Sequence, residues 1–141
     1  MHSFMAERKN KDRLIATLSK CEDIKDLDTF LKDLSIIKPQ FNQDLDKNRL
    51  LSLMNAFGNP DRFLILDSLR SRSRCVCELE SIIDKSQPAV SHHLKLLERM
   101  QLIRGWKKGK FTYYSLVEKT FQDFVSLWKE WNGGISNWFG K

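Results

Sequence analysis

The chain has 141 residues, 41% of them hydrophobic, which suffices for one small domain with an appendage but not for two independent domains. Its formal net charge is +6, and most of the excess lies in residues 59–116, which carry 11 Lys and Arg against 6 Asp and Glu. No apolar run approaches the roughly 18 residues of a membrane span, and charges occupy the place of a signal peptide's apolar centre, so we expect a cytoplasmic protein without a membrane partner.

Residues 1–40 predict two amphipathic helices that form an N-terminal extension. Apolar side chains recur at helical spacing in residues 7–20 and again from Leu27 to Ile37. Lys38-Pro39-Gln40 should end the second helix, because proline cannot continue a helix and restrains the residue before it. We therefore predict a helical extension over residues 1–40 and a main domain over residues 41–141.

Two further helices are predicted at the start of the main domain. Apolar residues between Asp46 and Phe57 have helical spacing, and Gly58 stands where a left-handed cap costs least. Asn59-Pro60-Asp61 is a helix-start signal, because asparagine accepts hydrogen bonds from free amides and proline fits the first turn. The helix after it is expected to bury Phe63, Leu64, Leu66 and Leu69.

A helix-turn-helix pattern follows a polar turn over residues 71–74. Cys75 and Cys77 lie at the entry to a short helix over residues 78–83, and Ser86 can cap the longer helix over residues 87–100. The longer helix should bury Val90, Leu94 and Leu97. Its other faces carry four polar residues that we expect to meet base edges or phosphates: Gln87, Ser91, His92 and Lys95.

A basic hairpin and a terminal helix complete the chain. Residues 103–106 and 111–116 have strand composition, and Lys107, Lys108 and Lys110 in the turn between them should contact phosphate or the minor groove. A solvated hairpin tip is the alternative. The last helix carries a stripe of large apolar residues, namely Phe121, Phe124, Val125 and Trp128, with Trp131 just beyond. This stripe packs either against its own domain or against the same helix of a second copy.

Four segments within this order of elements carry a family resemblance. They are Phe57-Gly58-Asn59-Pro60-Asp61-Arg62, Cys75-Val76-Cys77-Glu78-Leu79, the segment from Ser86 to Leu94, and the segment from Gly109 to Leu116. Over about residues 46–131 the chain resembles the ArsR/SmtB repressors, bacterial and archaeal regulators that respond to metals and metalloids. The resemblance implies a mainly α winged helix-turn-helix with a small β-hairpin. It also implies a homodimer, paired through its C-terminal and N-terminal helices, that occupies double-stranded operator DNA until an ion binds.

The cysteines indicate the class of ion. Cys75-Val76-Cys77 matches the thiolate motif of the family's arsenic, antimony, cadmium and lead sensors, whereas residues 117–141 lack the histidine of its terminal-helix zinc site. Soft thiolates favour As(III), Sb(III), Cd(II) and Pb(II) over Mg(II) and Ca(II), and no organic cofactor is expected. A third donor is needed. Arsenic sensors often have this donor three residues after the second cysteine, but here that position is Glu80. Cys21 is the remaining candidate, unless it packs as a small apolar residue.

The spacing of the cysteine pair suggests how an ion would act. Three cysteines make a poor disulfide framework, so we expect reduced thiols, with Arg72 and Arg74 favouring the thiolate form. Residues two apart diverge on a regular helix, so ion capture should hold Cys75 and Cys77 in an extended or unwound first turn and shift the DNA-reading helix.

Other interpretations of the cysteines stay open. One alternative is a thiol redox sensor of the same fold, and another is a constitutive regulator whose cysteines are incidental. The chain has no nucleotide-binding glycine loop, nucleophile elbow or His-Glu metalloprotease motif, so we expect that it is not an enzyme.

Overall fold

The computed structural model describes residues 2–135 and 138. The chain forms two compact units, Met1–Asp44 and Leu45–Lys141. Within the described residues, no helix combines the length and the apolar character that crossing a bilayer requires.

The first unit consists of α1 (His2–Leu18) and α2 (Leu27–Gln43), as the helical spacing predicted. Leu14 of α1 and Leu31 of α2 line one groove between the helices. The predicted break at Pro39 is wrong, because α2 continues through this residue to Gln43. The proline removes one hydrogen bond, to the carbonyl of Ser35. Ser35 is exposed, so water can replace the missing donor.

The second unit alternates helices with short strands. Its elements are α3 (Leu45–Phe57), α4 (Pro60–Leu69), β1 (Arg74–Cys75), α5 (Val76–Ile83), α6 (Gln87–Arg99), β2 (Ile103–Lys108), β3 (Phe111–Leu116) and α7 (Glu118–Asn132). The strands form an antiparallel sheet in the order β1-β3-β2. Helices α5 and α6 form the helix-turn-helix and the β2–β3 hairpin forms the wing, which confirms the predicted winged helix-turn-helix fold. Strand β1 was not predicted.

The core of the second unit holds α6 in place. Its largest fully buried side chains are Leu53, Ile65, Leu79, Val90, Leu97 and Leu102. The three residues that were predicted to face inward from α6, Val90, Leu94 and Leu97, are all buried. The opposite face of α6 is therefore fixed relative to the rest of this unit.

Two residues of α4 contradict the predicted burial. Phe63 is 58% exposed and Leu64 is 40% exposed, whereas Ile65, Leu66 and Leu69 are buried. The apolar residues of α4 are consecutive from Phe63 to Leu66, so their spacing does not show which side faces the core.

The junction between α3 and α4 is held by the side chains of Asn59, the N-cap of α4, and Arg62. Asn59 Oδ1 accepts hydrogen bonds from the amides of Asp61 and Arg62 at 3.0 and 3.1 Å, which confirms the predicted cap. The guanidinium of Arg62 donates to carbonyls at the end of α3. The left-handed cap predicted at Gly58 is wrong. The described glycines with positive φ are Gly109, Gly133 and Gly134.

Candidate DNA-binding surface and cysteine junction

The predicted DNA-reading residues lie on the outer side of α6. Gln87, His92 and Lys95 are exposed and Ser91 is half-buried. Gln87, Ser91 and Lys95 are four residues apart, so they share one helical face. The Ser86 hydroxyl accepts a hydrogen bond from the Ala89 amide at 3.5 Å, as predicted for the cap. The start of α6 thus presents donors and acceptors to the exterior.

His93 lies on the inner side of α6 and faces α4. Its Nε2 is 3.6 Å from Oδ2 of Asp61, and 14% of its side chain is exposed. Burial lowers the pKa of His93 and the charge of Arg62 lowers it further, whereas Asp61 raises it. Its Nδ1 is buried without a hydrogen-bond partner. His93 therefore braces α6 against α4.

The three lysines of the wing are all exposed, but they do not all lie in the turn. Lys107 and Lys108 belong to β2, and Lys110 follows Gly109 in the turn. Successive residues of a strand face opposite sides, so Lys107 and Lys108 point away from each other. Each face of the hairpin therefore carries only one of these two lysines.

The outer face of the wing carries residues that the sequence prediction missed. Tyr114 and Leu116 of β3 pack against the core, so the alternating residues face outward. With their cross-strand partners they form one set: Arg104, Trp106, Lys108, Phe111, Tyr113 and Ser115. Trp106 and Tyr113 are stacked, with ring centroids 6.2 Å apart. Alternation along the strands would have identified this basic and aromatic surface.

The two cysteines of the pair meet where β1 ends and α5 begins. Cys75 is the N-cap of α5, with an extended backbone, and Cys77 is the second residue of the helix. Their Cα atoms are 5.5 Å apart and their sulfur atoms form a disulfide, so the expectation of reduced thiols is wrong for this structure. Cys75 is buried and Cys77 is exposed.

The convergence of the sulfur atoms does not require an unwound helix. Cys75 lies outside α5, so its side chain is not bound by helical spacing and can reach Cys77. The expected extended geometry is therefore present at Cys75, while the first turn of α5, from Val76, stays intact.

Glu78 organises the charges around the pair. Its carboxylate accepts hydrogen bonds from Arg72 at 2.6 Å, Arg74 at 3.1 Å and the amide of Cys75 at 3.3 Å. The hydrogen bond from Arg72 is the main cause that lowers the pKa of Glu78, followed by that from the Cys75 amide. Because Glu78 engages both arginines, their charge is less available to the thiols than the sequence suggested.

The junction brings together two possible metal ligands, the sulfur atoms of Cys75 and Cys77. No cluster of three or more His, Cys, Asp or Glu side chains suited to a metal occurs in residues 2–135 and 138. Glu80 is half-buried on α5. Cys21 is a free, exposed cysteine in the first unit. The cysteine pair therefore fits a soft ion as two of its ligands, and a complete site needs a further donor.

Helix α7 has two apolar sides. Phe121, Phe124 and Leu127 pack against the core, and Phe124 meets Phe57 of α3 edge to face at 4.9 Å. A second group, which we call the outer apolar surface, is exposed on α3 and α7: Leu51, Met54, Val125, Trp128 and Trp131. The packing of α7 on its own domain thus accounts for only half of the predicted stripe.

Comparisons with known proteins agree with this architecture. Residues 59–104 match the family model described as bacterial regulatory protein, arsR family. A transcriptional regulator of Methanocaldococcus jannaschii is 33% identical over 76 residues, which are 53% of this chain and 85% of that protein. The transcriptional repressor SdpR of Bacillus subtilis is 32% identical, over 53% of this chain and 83% of its own length. The arsenical resistance operon repressor of Staphylococcus xylosus is 32% identical, over 55% and 73%.

Solved structures show the same fold. An ArsR family transcriptional regulator superposes with a TM-score of 0.58 at 22% identity, over 64% of this chain and 93% of that one. Reduced HlyU of Vibrio cholerae gives a TM-score of 0.53 at 26% identity, over 62% and 90%. The relatives are transcriptional regulators, which confirms that the chain is not an enzyme. The chain belongs to the ArsR family of bacterial regulatory proteins.

Proposed function

We propose that this ArsR family protein is a homodimeric repressor that leaves its operator when a soft metal or metalloid ion binds Cys75 and Cys77. The observation that carries the proposal is the convergence of the two sulfur atoms at the start of α5. This point adjoins both the helix-turn-helix and, through β1, the wing. The relative from Staphylococcus xylosus, an arsenical resistance repressor, supports a metalloid as the inducer.

The reduced pair would supply two thiolates to As(III), Sb(III), Cd(II) or Pb(II), all of which prefer sulfur ligands. Ion binding releases the thiol protons, because the thiolate is the ligand. We propose Cys21 as a third donor on its chemistry alone, since it is a free, exposed cysteine. No organic cofactor is involved in this proposal.

We propose that the dimer reads two half-sites of the operator with two copies of α6. Gln87, Ser91, His92 and Lys95 would enter the major groove, where glutamine pairs well with adenine. Lys107, Lys108 and Lys110 of the wing would contact phosphates, and Arg104 of the outer face would add a cation. Exposure of all these residues except the half-buried Ser91 supports this assignment.

We propose that the outer apolar surface, together with the N-terminal helices, forms the dimer interface. Trp128 and Trp131 stack on each other at 5.5 Å and are 38% and 47% exposed. Contiguous exposed aromatic residues of this kind are typical of an interface. Sedimentation should give a dimer for the parent chain and a shift towards monomer for Trp128→Glu. Lys119→Glu, on the same helix, is the control and should stay dimeric.

The cysteine proposal is tested with DNA that the protein itself selects from a random-sequence pool. Binding is measured in reductant with As(III), Cd(II), Pb(II) or Zn(II). At least one of the first three ions should weaken binding by about 5-fold or more, in the range typical of allosteric coupling. Cys75→Ser and Cys77→Ser should bind DNA normally without ions and lose the response, while Cys21→Ser should weaken ion binding. An unchanged response in Cys75→Ser would contradict the proposal.

A thiol redox sensor is the second candidate, and the Cys75–Cys77 disulfide favours it. The likeness to a protein solved explicitly in its reduced form adds support. Release by an oxidant without any ion, reversed by reductant and absent in Cys77→Ser, would select this function. DNA binding that changes with neither ions nor oxidant would indicate a constitutive regulator.

A further inference from the structure

The cysteine junction is joined to the wing by a row of side chains across the sheet. Cys75 of β1 is the direct antiparallel partner of Tyr113 of β3, and Tyr113 is in turn the partner of Trp106 of β2. Directly opposed residues of antiparallel strands place their side chains on the same face. Cys75, Tyr113 and Trp106 therefore form a continuous row, which runs from the cysteine pair to the outer face of the wing.

The row links a buried end to an exposed end. Cys75 is 7% exposed, Tyr113 is half-buried and Trp106 is 39% exposed. The rings of Tyr113 and Trp106 stack with an angle of 21° between their planes. Tyr113 is thus the side chain that touches the wing aromatic on one side and neighbours the cysteine on the other.

The inner face of the hairpin is closely packed, so it has little space in which to absorb a displacement of Cys75. A Cβ atom at Gly105 would lie 2.8 Å from the Tyr114 ring and 3.1 Å from a Glu98 carboxylate oxygen. Backbone pairing also ties β1 to β3. A shift of Cys75 should therefore move the hairpin with it instead of being taken up beneath the sheet.

We propose that Tyr113 is a positioning residue through which the cysteine pair controls the wing. This inference rests on the proposed ion response of Cys75 and Cys77. When the pair changes its ligands, Tyr113 carries the displacement to Trp106, and Lys107 and Lys108, which follow Trp106 in β2, leave the phosphates. Release then involves the wing as well as the shift of α6.

The test compares Tyr113→Ala with Tyr113→Phe and Phe111→Ala, using arsenite, reductant and the selected DNA. Tyr113→Phe keeps the ring, and Phe111→Ala removes a ring from the same face at a residue paired with Lys108 instead of Cys75. Tyr113→Ala should bind arsenite as the parent chain does, by thiolate absorbance, yet lose most of the arsenite-induced drop in DNA affinity. The two control variants should keep the parental drop.

Trp106 fluorescence provides a readout that general destabilisation would not mimic. Arsenite should change the emission of the parent chain, and the change should vanish in Trp106→Phe and in Tyr113→Ala. If Tyr113→Ala unfolds, Trp106→Ala tests the other end of the row and should also lose most of the coupling. If folded Tyr113→Ala or folded Trp106→Ala keeps the full arsenite-induced drop in DNA affinity, this inference is overturned and the proposed ion response is not. Failure of the parent chain to respond to arsenite would overturn the proposed ion response as well.

Discussion

The recognition helix α6 and the wing would meet the same duplex, but the protein holds them differently. Helix α6 is anchored by Val90, Leu94 and Leu97, all buried in the core. The wing is anchored by the buried Ile103, by the partly buried Tyr114 and Leu116, and by pairing with the two-residue strand β1. Elements with few buried contacts open at the lowest free energy. The wing is therefore the element that a small change at the cysteines moves more easily.

The strongest test of this contrast is Leu97→Ala. Leu97 is fully buried, so its truncation removes apolar contacts and leaves a cavity under α6. The free energy of unfolding should fall by about 2–5 kcal/mol. Urea unfolding measures the loss, and Lys95→Ala on the exposed face of the same helix should change stability by less than about 0.5 kcal/mol. Equal losses in both variants would contradict the core-anchored helix.

Gln87→Ala tests the contribution of α6 to DNA recognition. If Gln87 reads a base edge, its loss should weaken binding by about 1–3 kcal/mol and relax the preference at one base pair. Selection and titration on single-base variants of the duplex measure both effects. A uniform loss on every duplex would instead assign Gln87 to the phosphate backbone.

Lys108→Ala should have a smaller effect of a different kind. A lysine on the exposed wing that meets a phosphate adds affinity for any sequence and releases counterions. The slope of log affinity against log salt should become shallower by about 0.9, with the base preference unchanged. Lys119→Ala, an exposed lysine on α7, serves as the control. An altered base preference in Lys108→Ala would contradict the assignment of base reading to α6 and of phosphate contacts to the wing.

The smallest effect concerns the pH dependence of the brace between α6 and α4. Burial lowers the pKa of His93, so the unfolded chain takes up this proton first as the pH falls. The stability of the folded chain should therefore drop below about pH 6.5, the ordinary value for histidine, while His93 has no effect above it. Urea unfolding from pH 7.5 to 5 should show a flatter dependence in His93→Gln. A change equally large in His92→Gln would argue against the brace.

The same contrast explains what the sequence could predict. The buried face of α6 and the caps at Asn59 and Ser86 follow from local spacing and chemistry, and the structure bears them out. Strand β1 has only two residues and exists through pairing with β3, about 40 residues later, so no local pattern reveals it. The link from Cys75 to the wing was missed for that reason.

Two other misses have equally physical causes. The consecutive apolar residues from Phe63 to Leu66 gave no period by which to choose a face of α4. At the cysteines, the helix was predicted to begin at residue 78, whereas α5 begins at Val76, so that Cys77 lies in its first turn and Cys75 is the cap. This two-residue difference in the helix start decided whether the first turn had to unwind for the two sulfur atoms to meet.

Arsenite affinity of the reduced protein, measured by calorimetry with and without saturating selected DNA, tests the central claim most directly. Two sites that are coupled must affect each other by the same factor. DNA should therefore weaken arsenite binding by the factor by which arsenite weakens DNA binding, and Cys75→Ser should abolish both effects. Equal arsenite affinity with and without DNA would contradict a connection between the cysteine junction and the DNA-binding surface.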